Sequence, residues 1–406
     1  MSSEIPQNTS STRGRNPTVA LFVLCLSIQA IGMGSLSLFL PEIQEDLNFS
    51  FTQAGTLAAA STLLYAFMQI PAGYLADRFG PKRLFFIGTL GNTALVLAFG
   101  FVSQYWPAVA NVTASGFFRA LQFAPGLALL TGWYSQERRA TAMAIYHMGG
   151  FGGRIILTIG GPLLVETYDW RLPFIAFGIL GVLVSFAYLQ LGKEPPSGSG
   201  PQRKVNISDI FRLFRSRFMW LCGVIQFIRL AINRGTQFWL PTFLIVDKGL
   251  SLQVTGLIIL LRSVVSGPTG MVASYISDRL KNPPIVIGFS LIMLAITSAL
   301  LVMVDNIVLF VVIIGINALF VQCYFGPLFS LPLEVFGSHT RATTNGVSNT
   351  FANLGSLIFG YLMGAMRDVS GSFESGFYTI AGLAIVGLVF TVLVDRARRK
   401  AIASTT

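Results

Sequence analysis

The amino-acid sequence predicts an all-α integral membrane protein, with twelve transmembrane helices in two pseudo-symmetric six-helix bundles. Three observations lead to this prediction: a low charged fraction, a series of long apolar blocks and an internal repeat. Of the 406 residues, 53% are hydrophobic and 11% are charged, against about 25% charged in a typical soluble domain. The chain therefore lacks the polar surface of a soluble protein of this length.

The apolar residues form twelve blocks, each close to or above the ~20 residues that an α-helix needs to cross a bilayer. The first block is too long for a signal peptide and is interpreted as the first helix. The three cysteines all fall within these blocks, so neither a disulfide framework nor a metal site is predicted. The predicted spans are 18–41, 53–76, 84–103, 108–133, 141–165, 172–191, 218–243, 253–277, 285–303, 307–332, 342–366 and 375–394.

A polar segment in the middle of the chain interrupts this pattern. Residues 193–217 begin as a Pro/Gly/Ser-rich linker and end as a basic amphipathic stretch, which we expect to lie on the cytoplasmic surface. Six blocks precede this segment and six follow it. The predicted domains are a disordered cytoplasmic N-terminus (1–17), an N-terminal six-helix bundle (18–192), the cytoplasmic linker (193–217), a C-terminal six-helix bundle (218–394) and a basic cytoplasmic tail (395–406).

The positive charges are distributed unevenly along the chain. With the N-terminus in the cytoplasm, 20 of the 28 lysines and arginines fall in cytoplasmic segments. Only Arg171, Lys248 and Arg367 fall outside. This bias predicts a multi-pass protein of the plasma (inner) membrane with both termini in the cytoplasm. The net charge of +11 is therefore interpreted as a topological signal of a protein in the lipid bilayer, and no nucleic-acid partner is predicted.

Five arginines lie inside the predicted spans, and no aspartate or glutamate does. A guanidinium at bilayer depth costs at least about 2.5 kcal/mol, so such residues tend to face a polar cavity or an anion. Without buried carboxylates to pair with, these cations predict a small anionic solute as cargo. The five residues are Arg119, Arg154, Arg229, Arg234 and Arg262.

The two halves of the chain resemble each other at an offset of about 200 residues. Leu-Pro ends the first and seventh helices, Asp-Arg follows the second and eighth, and Arg-Ala-Thr precedes the fifth and eleventh. Gly55 and Gly256 match near the starts of the second and eighth helices. Parallel repeats of this kind suit a carrier whose halves alternate around a site near the middle of the membrane.

The run from Gly73 to Arg83, GYLADRFGPKR, closely resembles the helix 2–3 signature of the major facilitator superfamily. Asp278 and Arg279 lie where that family has its second copy of the signature. The resemblance covers the chain from the first to the last span. It implies the fold of that superfamily, rocker-switch alternating access, a central substrate cavity and a monomer.

The resemblance also implies a set of gating residues at the cytoplasmic side. Gly73 is expected to permit close helix contact. Two charge clusters, Glu137 with Arg139 and Glu334 with Arg341, are expected to pair across the bundles when this side closes; solvated loops are the alternative. The gating residues are Gly73, Asp77, Arg78, Arg83, Asp278, Arg279, Glu137, Arg139, Glu334 and Arg341.

Within the superfamily, three motifs are similar to those of organic-anion carriers of the anion:cation symporter type. They are Trp239-Leu-Pro in the seventh helix, Trp170-Arg171 before the sixth, and the loop after Trp133. Arg262 in the eighth helix is similar to the substrate arginine of carboxylate carriers. The helix 4 signature of proton-coupled members is matched by Arg119 and Gln122 only.

Polar stripes at helical spacing complete the candidate site, because residues four apart share one face of a helix. Arg229 is interpreted as lying closer to the cytoplasmic end and is left outside the candidate set. The candidate substrate-binding residues are Arg119, Arg154, Arg234, Arg262, Gln29, Tyr65, Gln122, Asn233, Asn349 and Tyr324.

The sequence therefore predicts a secondary active transporter of a carboxylate-type organic anion. It shows no nucleophile–base pair, phosphate loop or metal cluster, so neither an enzyme nor a cofactor is predicted. Multidrug or metabolite export, transport of an anionic lysolipid and a non-transporting sensor are the alternatives. Coupling stays open between anion exchange, facilitated diffusion and symport with H⁺.

Overall fold

In a computed structural model of the chain, the described residues are 15–134, 139–195, 213–336 and 341–403. These residues are almost entirely α-helical. The helices are α1 Arg15–Leu38, α2 Leu40–Leu47, α3 Phe51–Phe79, α4 Pro81–Phe99, α5 Tyr105–Gly132, α6 Arg139–Thr167, α7 Arg171–Leu191, α8 Arg217–Thr242, α9 Leu252–Leu280, α10 Pro283–Met303, α11 Ile307–Cys323, α12 Phe325–Phe336, α13 Arg341–Ser370 and α14 Glu374–Ala403. A short π-helical turn, Phe243–Asp247, continues α8.

The prediction of an all-α membrane fold is confirmed. Eight of the described helical segments are long and apolar enough to cross a membrane. The other long helices, α3, α5, α8 and α13, all carry polar side chains that the sequence assigns to the candidate site. Two details were not predicted: the short helix α2 follows the first span, and a break at Tyr324 divides the predicted span 307–332 into α11 and α12.

Local sequence signals explain where several helices begin and end. Gly80, at φ 87°, makes the turn before α4, and Pro81 follows it at the first helical position. Ser251 caps α9 by accepting a hydrogen bond from Val254 N, and Asn306 Oδ1 caps α11 in the same way. These caps satisfy main-chain N–H groups that would otherwise lack partners.

The chain divides into two compact units. The first unit contains residues 1–36 and 63–202, and the second contains residues 37–62 and 203–406. The segment 37–62, which the sequence assigns to the N-terminal bundle, thus packs with helices from the second half of the chain. The other predicted domain boundaries stay predictions, and residues 1–14 and 196–212 lie outside the described part of the chain.

One end of the second unit is used repeatedly below. It contains the end of α1, helix α2, the start of α3 and the loops that follow α8 and α13. We call it the remote end, because it lies opposite the C-terminal end of α14. Lys248 and Arg367, which the sequence analysis expects outside the cell, are both at this end.

Candidate functional site

In the first unit, Arg119 of α5 is buried, with 6% of its surface exposed. Its guanidinium carbon lies 5.2 Å from the centre of the Tyr65 ring, which is a cation–π distance. Tyr65 also makes an edge contact with Phe123 at 6.5 Å between ring centres. The structure thus brings together two candidate residues, Arg119 and Tyr65, from different helices.

Gln122 lies one turn beyond Arg119 on α5 and is fully buried. Helix α4 approaches closely here: a Cβ added at Gly88 would lie 2.7 Å from Gln122 N. Neither Oε1 nor Nε2 of Gln122 has a hydrogen-bond partner among the described residues. Because an unsatisfied buried amide is costly, this side chain is suited to receive a ligand that both donates and accepts hydrogen bonds.

In the second unit, Arg229 of α8 is buried, with 5% of its surface exposed. Its Nε donates a hydrogen bond of 2.8 Å to Gln226 Oε1, one turn earlier on the same helix. The guanidinium carbon lies 5.0 Å from the ring centre of Phe325 and 5.6 Å from that of Phe329. No carboxylate of the described residues forms an ion pair with Arg229.

The Gln226–Arg229 pair presents only hydrogen-bond donors to its surroundings. Gln226 is fully buried, and its Oε1 is occupied by the guanidinium, which also settles the orientation of the amide. Its Nε2 has no partner among the described residues. Two adjacent donor groups, one of them cationic, match a group that only accepts hydrogen bonds, such as a carboxylate.

Residues at the break between α11 and α12 contact Arg229. Tyr324 lies at the break and is fully buried, and its hydroxyl donates to the main-chain oxygen of Arg229 at 3.4 Å. The two phenylalanines that flank the Arg229 guanidinium belong to the first turns of α12. Discontinuous membrane helices commonly form binding sites in transporters. The Tyr324 hydroxyl, a candidate ligand group in the sequence, is thus directed to the main chain.

The remaining candidate residues are all partly buried and lie on both units. Arg234 donates to Gln237 Oε1 at 3.2 Å on α8, and Asn349 accepts from Asn353 Nδ2 at 2.9 Å through its main-chain oxygen on α13. The first unit contains Gln29, Tyr65, Arg119, Gln122 and Arg154, and the second contains Asn233, Arg234, Arg262, Tyr324 and Asn349. Their role as a single substrate site stays a prediction.

Sequence reasoning left the best-defined group of the second unit out of the candidate set. Arg229 was left outside the candidate set, and Gln226, Phe325 and Phe329 are not part of it either. The available signal was the spacing of three residues between Gln226 and Arg229, which places them on one helix face. What the sequence could not supply was the pair of rings from α12.

The predicted gating residues are only partly described. Glu334 accepts from Nε of Arg398, near the end of α14, and Arg398 Nη2 also donates to Lys281 O at 3.3 Å. The side chain of Arg341, in the same predicted cluster as Glu334, lies outside the described part, as do those of Asp77 and Arg139, and Glu137 lies outside it entirely. Arg78, Arg83, Asp278 and Arg279 are exposed.

The close helix contact expected at Gly73 is not made in this structure. A Cβ added at Gly73 would meet no described atom within 4 Å. Glycine close approaches instead occur within each unit, for example where a Cβ at Gly355 of α13 would lie 2.1 Å from Phe227 O of α8. The reason for a glycine at Gly73 is therefore not a packing contact in this conformation.

Comparison with known proteins gives a consistent set of similarities. A model described as Major Facilitator Superfamily matches residues 22–360 and 249–406. The chain is 24% identical over 449 residues to the probable galactarate/D-glucarate transporter of Escherichia coli, with 98% of both chains covered. It is 22% identical over 404 residues to the hexuronate transporter of Bacillus subtilis, covering 92% of this chain and 93% of the relative.

A shorter match and two solved structures add to this. The D-galactonate transporter of Escherichia coli is 28% identical over 196 residues, covering 47% of this chain and 45% of the relative. A bacterial homologue of the human lysosomal transporter Spinster superposes with a TM-score of 0.79 at 17% identity, covering 96% of this chain and 97% of that one. The nucleoside transporter NupG superposes with a TM-score of 0.76 at 15% identity, covering 95% and 99%. These structural likenesses show the fold.

Proposed function

Because the chain belongs to the major facilitator superfamily, a class of multi-pass membrane transporters, we propose that it carries a small organic anion of the carboxylate class by alternating access. The observation that carries this proposal is the Gln226–Arg229 pair. The buried Arg229 guanidinium and the buried Gln226 amide N–H are neighbouring hydrogen-bond donors, and no described acidic side chain pairs with them. An arriving carboxylate would complete both sets of hydrogen bonds.

The free energy of a buried arginine supports the same conclusion. An uncompensated buried charge costs several kcal/mol, roughly 3–5 kcal/mol when the partner of a buried pair is removed. The flanking rings of Phe325 and Phe329 offset part of this cost through cation–π attraction. Binding of an anion would recover the rest of this cost, which would contribute to the affinity for the substrate.

We further propose that the substrate is a hydroxylated carboxylate. The relatives are named as transporters of galactarate, D-glucarate, hexuronate and D-galactonate, which are all sugar acids. Gln122, with both a free donor and a free acceptor among the described residues, suits a hydroxyl group, which is itself a donor and an acceptor. The predicted site residues Arg154, Arg234 and Arg262 are retained in this proposal as additional cations.

The orientation proposed from the distribution of lysine and arginine puts both termini in the cytoplasm. The remote end of the second unit then faces the outside of the plasma membrane. No acidic residue lies in a predicted span, so a co-transported proton would be carried on the anion itself, whereas anion exchange and facilitated diffusion need no proton.

A ligand panel on the purified protein tests the proposal. Thermal unfolding is followed with D-galactonate, D-galactarate, D-glucuronate, the uncharged alditol galactitol, an organic cation and a lysolipid. We expect the sugar acids to raise the melting temperature and galactitol to have no effect, because binding to the folded state stabilises it in proportion to occupancy. Stabilisation by the cation or by the lysolipid alone would overturn the proposal.

Uptake into proteoliposomes then separates the coupling routes. Uptake of labelled D-galactonate is measured with an inward pH gradient, with internal unlabelled anion, and with neither. Stimulation by the gradient indicates symport, stimulation by internal anion indicates exchange, and equal rates indicate facilitated diffusion.

A further inference from the structure

We propose that Asp368 is a releasable latch at the remote end of the second unit, which holds the start of α3 against α13 and must let go before that end can open. The proposal rests on the transport by alternating access argued above. It concerns a different part of the molecule from the predicted gating residues, which the sequence analysis expects at the cytoplasmic side.

Asp368 accepts hydrogen bonds from main-chain N–H groups in the first turn of α3. The first four N–H groups of a helix have no partner within the helix. Ser50 Oγ accepts from Gln53 N at 3.2 Å, and Gln53 Oε1 accepts in return from Ser50 N at 2.9 Å. The two remaining groups donate to one distant carboxylate: Phe51 N to Asp368 Oδ1 at 3.1 Å and Thr52 N to Asp368 Oδ2 at 2.7 Å. Asp368 therefore completes the cap, and its negative charge faces the positive end of the helix.

A neighbouring ion pair holds Asp368 in position. Arg367 Nη2 lies 3.2 Å from Asp247 Oδ1, and most of both side chains is buried. Asp247 also accepts from Phe373 N at 2.7 Å. The Arg367 guanidinium carbon lies 4.9 Å from the Phe51 ring centre and 5.6 Å from that of Phe373. Arg367 thus ties the end of α13 to the end of α8, while the next residue reaches across to α3.

Below the latch, α3 and α13 touch through glycines. A Cβ added at Gly364 would lie 2.1 Å from Phe51 O, and one at Gly55 would lie 2.8 Å from Tyr361 O. Further along, Ser37 Oγ donates to Phe238 O of α8 at 2.8 Å. The segment 37–62 is therefore seated on α8 and α13 by close main-chain contact, to which the Phe51 ring adds contacts with Trp239 and Phe373.

The difference in burial decides which contact can be released. Most of the Arg367 and Asp247 side chains is buried, so separating them would leave two buried charges without a partner, which costs free energy. Asp368 is exposed, so water can replace the α3 N–H groups at its carboxylate. The buried ion pair therefore acts as a permanent anchor, and the exposed cap acts as the reversible contact.

The test uses the full-length protein with a reporter cysteine at Ser37→Cys and Cys323→Ser, since Cys25 and Cys222 are buried. Ser37 is almost fully buried, so a membrane-impermeant maleimide applied from the outside should label it only when the remote end opens. We expect Asp368→Ala to raise the labelling rate by about 2- to 30-fold, the range expected for loss of a helix cap. Glu374→Ala, which removes a nearby exposed acid outside the latch, is the matched control and should leave the rate unchanged.

The second variant guards against misfolding. Asp368→Asn keeps one acceptor and should give a smaller rise than Asp368→Ala. Labelling needs no substrate, so its outcome is separate from the ligand panel. An unchanged or slower labelling rate in both Asp368 variants, in protein that still unfolds cooperatively, would overturn the latch even if sugar-acid transport is demonstrated. A faster rate without sugar-acid binding would support the latch and overturn the proposed substrate.

Discussion

Each unit contains a buried arginine and a buried glutamine one helical turn apart, yet the two pairs are built differently. On α5 the order is Arg119 then Gln122, and on α8 it is Gln226 then Arg229. In the second unit the glutamine oxygen accepts from the arginine, so only donors remain. In the first unit both amide atoms of the glutamine lack a described partner. The same two residue types therefore give a group with only donors available on one helix and a mixed donor–acceptor group on the other.

The aromatic partners differ in the same sense. Arg119 lies against Tyr65, whose ring carries a hydroxyl, whereas Arg229 lies between two phenylalanines. A guanidinium between apolar rings is poorly hydrated, so its attraction for an anion is screened less than in water. We therefore expect the Gln226–Arg229 pair to bind a carboxylate more strongly than the Arg119–Gln122 pair does.

The largest effect is expected from Arg229→Gln, which keeps much of the size of the side chain and removes the charge. We expect kcat/KM for D-galactonate uptake to fall about 100-fold, since a charge-assisted hydrogen-bond pair is worth roughly 2–3 kcal/mol. Arg229→Lys should recover only part of this loss, because an ammonium cannot form the forked contact. The exposed Arg399→Gln is the control, and equal rates in Arg229→Gln and Arg399→Gln would break the comparison.

Gln122→Leu should show what the amide of Gln122 contributes to substrate recognition. Removing an amide that has no described partner should leave the fold intact and raise the melting temperature by about 2 °C or more. The KM for D-galactonate should rise about 10-fold, whereas the binding of an unhydroxylated carboxylate such as hexanoate should change little. An equal loss for both ligands would show that Gln122 does not recognise hydroxyl groups.

Glu42 differs from the two arginine–glutamine pairs, because its buried polar atom belongs to an acid. Glu42 of α2 has a buried Oε2 with no described partner, and burial raises the pKa of its carboxyl above the usual 4.5. Its neutral form is favoured in the folded state, so stability is complete below pH 4.5 and decreases as the pH rises through the raised pKa. Glu42→Gln should therefore raise the melting temperature at pH 8 and have no effect at pH 4. A gain that does not depend on pH would contradict this account.

The smallest effect is expected from Tyr324→Phe. The hydrogen bond to Arg229 O is 3.4 Å long, near the limit for such a bond, so its loss should raise the KM by only about 2- to 3-fold. Tyr324→Ala should have a much larger effect, because it removes a buried ring beside the break between α11 and α12. If Tyr324→Phe were as damaging as Arg229→Gln, the hydroxyl would have to contact the substrate directly.

Some features of the fold and of the candidate site could be predicted from the sequence, and others could not. The twelve apolar blocks and the GYLADRFGPKR run were sufficient to predict the membrane fold and its family, because span length and turn chemistry are local properties. Arg119, Gln122 and Tyr65 were also recognised as candidates from their helix faces. Arg229 was set aside because its depth was estimated along one helix, and the rings that flank it come from a helix almost 100 residues later.

The sequence by itself determined that this is an all-α membrane protein whose predicted spans contain five arginines and no acidic residue, since hydropathy and charge count depend on composition within short segments. Only the tertiary structure decided which donors remain available, where the helix after Cys323 breaks, that Glu334 pairs with Arg398, and that Asp368 caps a helix more than 300 residues earlier. The physical reason is that a hydrogen-bond partner is chosen by proximity in space. A helical period gives the direction of a side chain around its own axis, but not the neighbour it meets.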